Sequence, residues 1–185
     1  IGCGVGCHDR GMLSGGMVQC AVNPTLYQFD REYFPKTDRP KKVAIIGAGP
    51  AGSTAALTAA ECGHDVTLFE GREVGGVLKE ASVPVYKEDL GLLGKYYQRQ
   101  IAKSNVKLVE TIATGDFDAV IVATGGKVRE LNLPGLDSDN VIYAMDLMKQ
   151  GCQLDADKVV VVGGGIVGAE AALILAEDFG KDVTI

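Results

Sequence analysis

The sequence predicts an α/β protein built on a parallel sheet, and three observations carry that expectation. A short apolar run, "KVAII" at 42–46, breaks into glycines and then into the alanine-rich "STAALTAAECG", the order strand, tight turn, helix. The pattern returns 116 residues later as "KVVVVGGGIVGAEAALILAE", so the fold unit is repeated within the chain. Finally, "DAVIVATGG" is apolar at every strand position and ends in a glycine turn, which suits a central parallel strand covered on both faces.

The 185 residues are 46% hydrophobic, enough for a substantial core, so the chain should fold. A formal charge of −6 disfavours nucleic acid as a partner, because binding its phosphates requires a concentrated basic face, and none is expected. No apolar run approaches the roughly 20 residues of a bilayer span, and no charged n-region with an apolar h-region opens the chain, so no membrane partner is expected. The five cysteines are odd in number, with three in the first twenty residues, unlike a secreted disulfide framework. A reducing cytoplasm is the expected location.

Along the chain, residues 1–24 are glycine-rich and aperiodic and predict a loop; 27–42, polar with Pro35 and Pro40, predict a linker. A strand is expected at 43–46, a helix after it, and a second strand at 66–69, closing a βαβ unit. A turn-rich stretch follows Glu70, then a helix at 88–102, a short strand "VKLV" and a strand at 119–123. Together these predict a three-layer α/β unit, with the second glycine loop, after 159–162, on a separate and incomplete sheet. "DVTL" at 65–68 matches "DVTI" at 182–185, which puts the counterpart of Glu70 at position 187, two residues beyond the end. The expectation is therefore a fragment with three parts: 1–40, a cysteine loop and linker; 41–139, a first dinucleotide domain; 140–185, the start of a second.

The first loop, G-x-G-x-x-G, follows an expected strand, opens a helix and has Glu70 eighteen residues past its last glycine, the context a dinucleotide loop requires. Gly47 allows the tight turn, Gly49 lets backbone approach a pyrophosphate, and Gly52 lets helix pack on strand. The free N–H groups and dipole at the helix start favour negative charge. Glu70 would accept hydrogen bonds from ribose hydroxyls. The competing interpretation is a packing loop without ligand.

"GAGPAG", "EGREVGG", "FDAVIVATGG" and "GGGIVGAE" occur here in the order seen in two-dinucleotide-binding flavoproteins, which the chain resembles from Lys41 onward. The resemblance implies a Rossmann-like fold truncated at both ends. It assigns Gly47, Gly49, Pro50, Ala51, Gly52, Glu70, Gly71, Arg72, Gly76, Val77, Ala123, Thr124 and Gly125 to FAD. It assigns Gly163, Gly165, Ile166, Val167, Gly168 and Glu170 to NAD(P)H. Between "VKLV" and the 119–123 strand the chain has only "ETIATGD", where that family has a longer antiparallel stretch, so that accessory sheet should be absent or reduced.

Cys3-x3-Cys7-x12-Cys20, followed by Asn23-Pro24, is similar to the iron–sulfur segment of the old-yellow-enzyme-like flavoproteins, the family of 2,4-dienoyl-CoA reductase and trimethylamine dehydrogenase. That resemblance implies a [4Fe-4S] cluster with Cys3, Cys7 and Cys20 as ligands and a fourth cysteine just before Ile1. It also implies an upstream FMN-binding TIM-barrel domain of the same polypeptide, which holds the small-molecule substrate; a homo-oligomer is compatible with it. Electrons would pass from NAD(P)H to FAD, to the cluster and to FMN, reducing an enoate- or enoyl-CoA-like substrate. No side chain of this chain is expected to be a catalytic acid, base or nucleophile. Alternatives are a zinc site completed by His8, and a non-catalytic ADP- or FAD-binding module of an amine-dehydrogenase-like enzyme. A thioredoxin-reductase-like enzyme needs a C-x-x-C pair, which is missing, and a glutamate-synthase small chain usually has more cysteines. Cys62 and Cys152 are expected as packing residues, His64 as a solvated turn residue, and the acidic runs at 88–89 and 155–157 as solvated faces.

Overall fold

A computed structural model describes residues 1–23, 26, 34–129 and 131–185; Pro24 and the first part of the expected linker, 27–33, lie outside the described residues. The chain forms two compact units, Ile1–Gly76 with Leu92–Thr124, and Val77–Gly91 with Gly125–Ile185.

The first unit contains a four-stranded parallel sheet in the order β3-β2-β1-β4, with β1 at Lys42–Ile46, β2 at Asp65–Phe69, β3 at Lys107–Val109 and β4 at Ala119–Val122. Helix α1, Pro50–Glu61, crosses between β1 and β2. It lies close on the sheet because its buried residues are Gly52, Ser53 and Ala56, all small. Gly63, at φ +92, ends it and turns the chain into β2. Ile45, Val66 and Leu68 are almost fully buried on one face, each contributing about 1.5–3 kcal/mol of apolar burial. On the other face Phe117 meets Phe69 edge-on, with ring centroids 6.0 Å apart. Residues 110–118 contain no strand, as the short "ETIATGD" predicts. The expected helical layer does not cover all of β4: Val120 and Val122 are 57% and 70% exposed.

α3 spans Glu88–Lys103, within a residue of the expected helix, and its Tyr97 hydroxyl hydrogen-bonds Thr54 of α1. α1, β1 and β4 border an open, mostly apolar groove of about 760 Å³ that Cys62, His64 and Tyr97 also line. His64 is not simply a solvated turn residue. Its Nδ1 accepts the N–H of Lys41 at 3.1 Å and ties the α1–β2 turn to the start of β1.

In the second unit β5, Lys158–Val160, and β6, Asp182–Thr184, pair in parallel across α5, Ile166–Glu177. This is a sheet of its own, separate from β1–β4. α2, Leu78–Ala81, and α4, Ala144–Lys149, belong to this unit. Its core gathers Leu147, Met148, Cys152, Ala171, Ile174 and Leu175, with Val83 packed against them. No helix among the described residues is long and apolar enough to cross a membrane.

Cys152 is fully buried, with Sγ 3.5 Å from the Met148 sulfur. Burial pushes its thiol pKa up, and the charge of Asp178 adds to the shift. The thiolate is the reactive form, so in the native protein Cys152 should resist iodoacetamide at mildly alkaline pH while the exposed Cys3 and Cys7 react. Peptide mass spectrometry of timed samples checks this; equal rates at Cys152 and Cys3 would contradict the burial.

The expected N-terminal loop is a correction. Residues Val5–Leu13 form a π-helix, entered from Gly4 at φ +67, with Asp9 N–H on Gly4 C=O and Ser14 N–H on Asp9 C=O. None of its residues is buried, so it leaves no periodic apolar signal to read.

Candidate functional site

The first glycine loop joins β1 to α1. Gly47 has φ +98, and a Cβ on it would meet the Ala123 carbonyl oxygen at 2.5 Å, so the "ATG" end of β4 lies directly against this turn. A Cβ on Gly52 would stand 1.8 Å from the Gly47 oxygen. Gly49 is the extended N-cap of α1 and makes no side-chain capping bond; Pro50 follows at the first helical position. Gly76, at φ +58, packs on it so closely that a Cβ there would meet Gly49 Cα at 2.8 Å. Gly75 N–H donates to Ala48 C=O at 2.8 Å and fixes the Gly75–Gly76 turn on the first glycine loop.

Glu70 follows β2 and is tied to the same turn. Its Oε2 accepts the N–H of Ala48 at 2.8 Å and its Oε1 the N–H of Arg72 at 2.9 Å. Each carboxylate oxygen keeps a lone pair for a further donor. Ser53, fully buried, donates its hydroxyl to Ala48 C=O at 3.0 Å. Gly47, Gly49, Pro50, Gly52, Glu70, Gly76, Ala123 and Thr124 are thus gathered in one unit, whereas Gly71 and Arg72 are exposed beside Glu70. Val77, exposed at the start of α2, and Gly125, at φ +75, belong to the other unit.

The second loop repeats the geometry. Gly163 has φ +115, and a Cβ on Gly168 would stand 1.9 Å from its oxygen. Gly165 is an extended N-cap without a side-chain capping bond, and a Cβ there would meet nothing within 4 Å. Ile166 and Val167 are exposed at the start of α5. Glu170 pairs with Lys87, a residue that sequence reasoning passed over because nothing around "VYK" marks it.

Residues 41–185 match the family model described as pyridine nucleotide-disulphide oxidoreductase. The chain belongs to that family. Among curated members of the wider group it is 37% identical over 194 residues to cinnamate reductase of Clostridium sporogenes, covering 100% of this chain and 28% of the relative. It is 35% identical over 198 residues to NADH oxidase of Thermoanaerobacter brockii, covering 100% of this chain and 30% of that one. A solved 2-naphthoyl-CoA reductase complex superposes with a TM-score of 0.85 at 34% identity, over 98% of this chain and 28% of the other. These relatives are of the old-yellow-enzyme-like iron–sulfur flavoprotein type that the motifs resemble, and the chain spans less than a third of their length.

The pyridine nucleotide-disulphide oxidoreductase family implies FAD and NAD(P)H. The residues fit both groups: each loop brings an uncapped helix start to a glycine whose missing Cβ leaves room for a phosphate. Cys3 and Cys7 are exposed and Cys20 is half-buried, and among the described residues no three His, Cys, Asp or Glu side chains are gathered as a metal site needs. The His8 Nδ1 instead pairs with Asp9 Oδ1 at 3.1 Å.

Proposed function

We propose that the chain is the nucleotide-binding, electron-input portion of an NAD(P)H-dependent flavoprotein oxidoreductase, with FAD at the first glycine loop and the nicotinamide dinucleotide at the second. The observation that carries this is the duplicated geometry. A Cβ on Gly52 would stand 1.8 Å from the Gly47 oxygen and one on Gly168 1.9 Å from the Gly163 oxygen, the same close approach in both loops, and each loop opens an uncapped helix. In the first loop Glu70 supplies the carboxylate for ribose hydroxyls and Gly76 closes the turn against Gly49. In the second, Gly165 leaves open backbone for a pyrophosphate. When bound, FAD supplies hydride acceptance and the division of an electron pair into single electrons. This chain's own residues would bind and orient the two dinucleotides.

For the complete protein we extend the proposal to reduction of an enoate- or enoyl-CoA-like substrate in an FMN-binding barrel domain. The names of the relatives, a cinnamate reductase and a naphthoyl-CoA reductase, support that class.

Anaerobic addition of NADH, and separately NADPH, to the complete flavin-loaded protein should bleach the visible absorbance of the oxidised flavin. Gly165→Ala adds a methyl that meets no protein atom, so it should slow that bleaching and weaken NAD⁺ or NADP⁺ binding by roughly tenfold without changing flavin content. A protein that neither bleaches nor binds either dinucleotide overturns the proposal.

A further inference from the structure

Around its glycine loop the second unit leaves apolar side chains in solvent. Ile166 and Val167, the first two residues of α5, are 75% and 45% exposed. Val85 and Tyr86 are 73% and 59% exposed in a 3-10 turn of the same unit, Val85–Lys87. That turn is held on both flanks. Before it, Pro84 is fully buried and Val83 packs on the core built around Leu147 and Leu175, while Lys87 N–H closes the turn on Pro84 C=O at 2.8 Å. After it, the Lys87 side chain bonds Glu170. Glu170 follows Ile166 by four residues and Val167 by three, so the three share one side of the first turns of α5. The residue next to Tyr86 therefore meets α5 on the side that carries the two exposed apolar residues beside Gly165.

We propose that Tyr86 is a binding residue for the nicotinamide ring: its phenol face is the flat wall against which the ring of the dinucleotide lies, beside Ile166. The inference rests on the nicotinamide assignment of the second loop given above and adds the residue that meets the ring. Three points carry it. A braced turn that keeps a large aromatic side chain in water presents apolar surface that a ligand can cover, and little side-chain freedom is lost when it does. Position selects the half of the ligand. In the first loop Glu70, after β2, serves the adenosine ribose, and the matching place in the second unit lies after β6, so adenosine runs over β6 and the pyrophosphate over Gly165. Tyr86 comes to the loop from the α5 side, which leaves it the other half. Chemistry selects the ring, because oxidised nicotinamide is a flat cation and the negative face of a tyrosine attracts it as well as stacking on it.

The test measures binding rather than turnover. In the complete protein, NAD⁺ and NADP⁺ are titrated calorimetrically into wild type, Tyr86→Ser, Tyr86→Phe, Tyr86→Leu and Gly165→Ala. ADP-ribose, or its phosphorylated form where NADP⁺ binds the tighter, is the control ligand, since it has the adenosine and pyrophosphate but no nicotinamide ring. Tyr86→Ser should weaken the preferred dinucleotide by roughly tenfold, the loss of one aromatic face from a flat cationic ring. ADP-ribose should bind that variant within about twofold of wild type, a split that a merely structural role would not produce. Tyr86→Phe keeps the face and should bind the dinucleotide within about threefold of wild type. Unchanged dinucleotide affinity in Tyr86→Ser, or an equal loss for ADP-ribose, overturns the inference while the nicotinamide assignment stands. Should Tyr86→Ser fail to fold, Tyr86→Leu decides: apolar but without a π face, it should lose at least about threefold for the dinucleotide alone, and wild-type affinity there overturns the inference equally. Gly165→Ala should weaken both ligands, because they share the pyrophosphate. Unaltered binding of both in that variant strikes the nicotinamide assignment itself and takes the inference with it.

Discussion

Gly52→Val in the complete protein should purify with about a tenth of the wild-type flavin or less, a loss of at least ~1.4 kcal/mol in binding. The Cβ alone would stand 1.8 Å from the Gly47 carbonyl oxygen and 3.2 Å from the Ala123 Cβ. Neither neighbour can yield cheaply. Gly47 is backbone in a positive-φ turn that itself abuts the Ala123 carbonyl, and Ala123 N–H is bonded to Ile46 C=O at 2.8 Å. The remaining way out is for α1 to lift off the sheet, which parts the helix start from the turn and exposes Ala56 and Ser53. Thermal stability of the flavin-free protein should therefore fall with the flavin content. Gly49→Ala separates the two effects, because its methyl would be 3.9 Å from Gly76 Cα, an ordinary contact. That variant should keep the stability of the flavin-free protein and still lose FAD affinity, the added carbon occupying the phosphate approach. Visible absorbance of the purified variants and melting of their flavin-free forms check both statements. Full flavin in Gly52→Val would sink the packing argument, and full affinity in Gly49→Ala would sink the placement of the phosphate.

The contrast between those two glycines also shows what a sequence discloses. G-x-G-x-x-G announces its chemistry because every requirement is local: a positive φ at Gly47, an N-cap at Gly49 and a close approach at Gly52 lie within six residues. The strands at 43–46 and 66–69 were legible for the same reason, as continuous apolar runs between glycines, and α3 through its polar and apolar alternation on a helical period. What remained illegible depends on partners far away in the chain. Lys87 gains its meaning from a carboxylate 83 residues on. The bond from Lys41 to His64 and that from Lys42 N–H to Asp118 Oδ2 tie the start of β1 to residues 23 and 76 positions away. α2 and α4, of four and six residues, are too short to show a period at all. The π-helix at Val5–Leu13 buries nothing, so its glycines and exposed side chains read as a loop.

Glu70 is the residue at which fold and ligand compete for the same atoms, and Glu70→Ala should therefore damage both. In the flavin-free protein the substitution leaves Ala48 N–H and Arg72 N–H without the oxygens that accept them at 2.8 and 2.9 Å. Of these, the bond to Ala48 is the better shielded, and orphaning such a donor costs about 1–3 kcal/mol, while the exposed one at Arg72 turns to water. For a chain of this size that corresponds to a fall in Tm of roughly 2–10 °C. Binding suffers separately. A carboxylate bonded to ribose hydroxyls contributes about 1.5–3 kcal/mol per charge-assisted bond, so FAD affinity should drop by roughly tenfold to a hundredfold. Glu70→Gln discriminates between the two losses. Its carbonyl oxygen can keep the Ala48 bond, but its amide turns a donor toward Arg72 N–H and removes the charge the ribose would meet. It should retain most of the flavin-free stability and still bind FAD at least about tenfold more weakly. Calorimetric titration of FAD into flavin-free protein, paired with thermal melts of the same samples, reads both quantities. If Glu70→Gln binds FAD as wild type does, Glu70 is a strut of the turn and the ribose is held elsewhere. If Glu70→Ala melts with the wild type, the two backbone bonds contribute nothing to the turn.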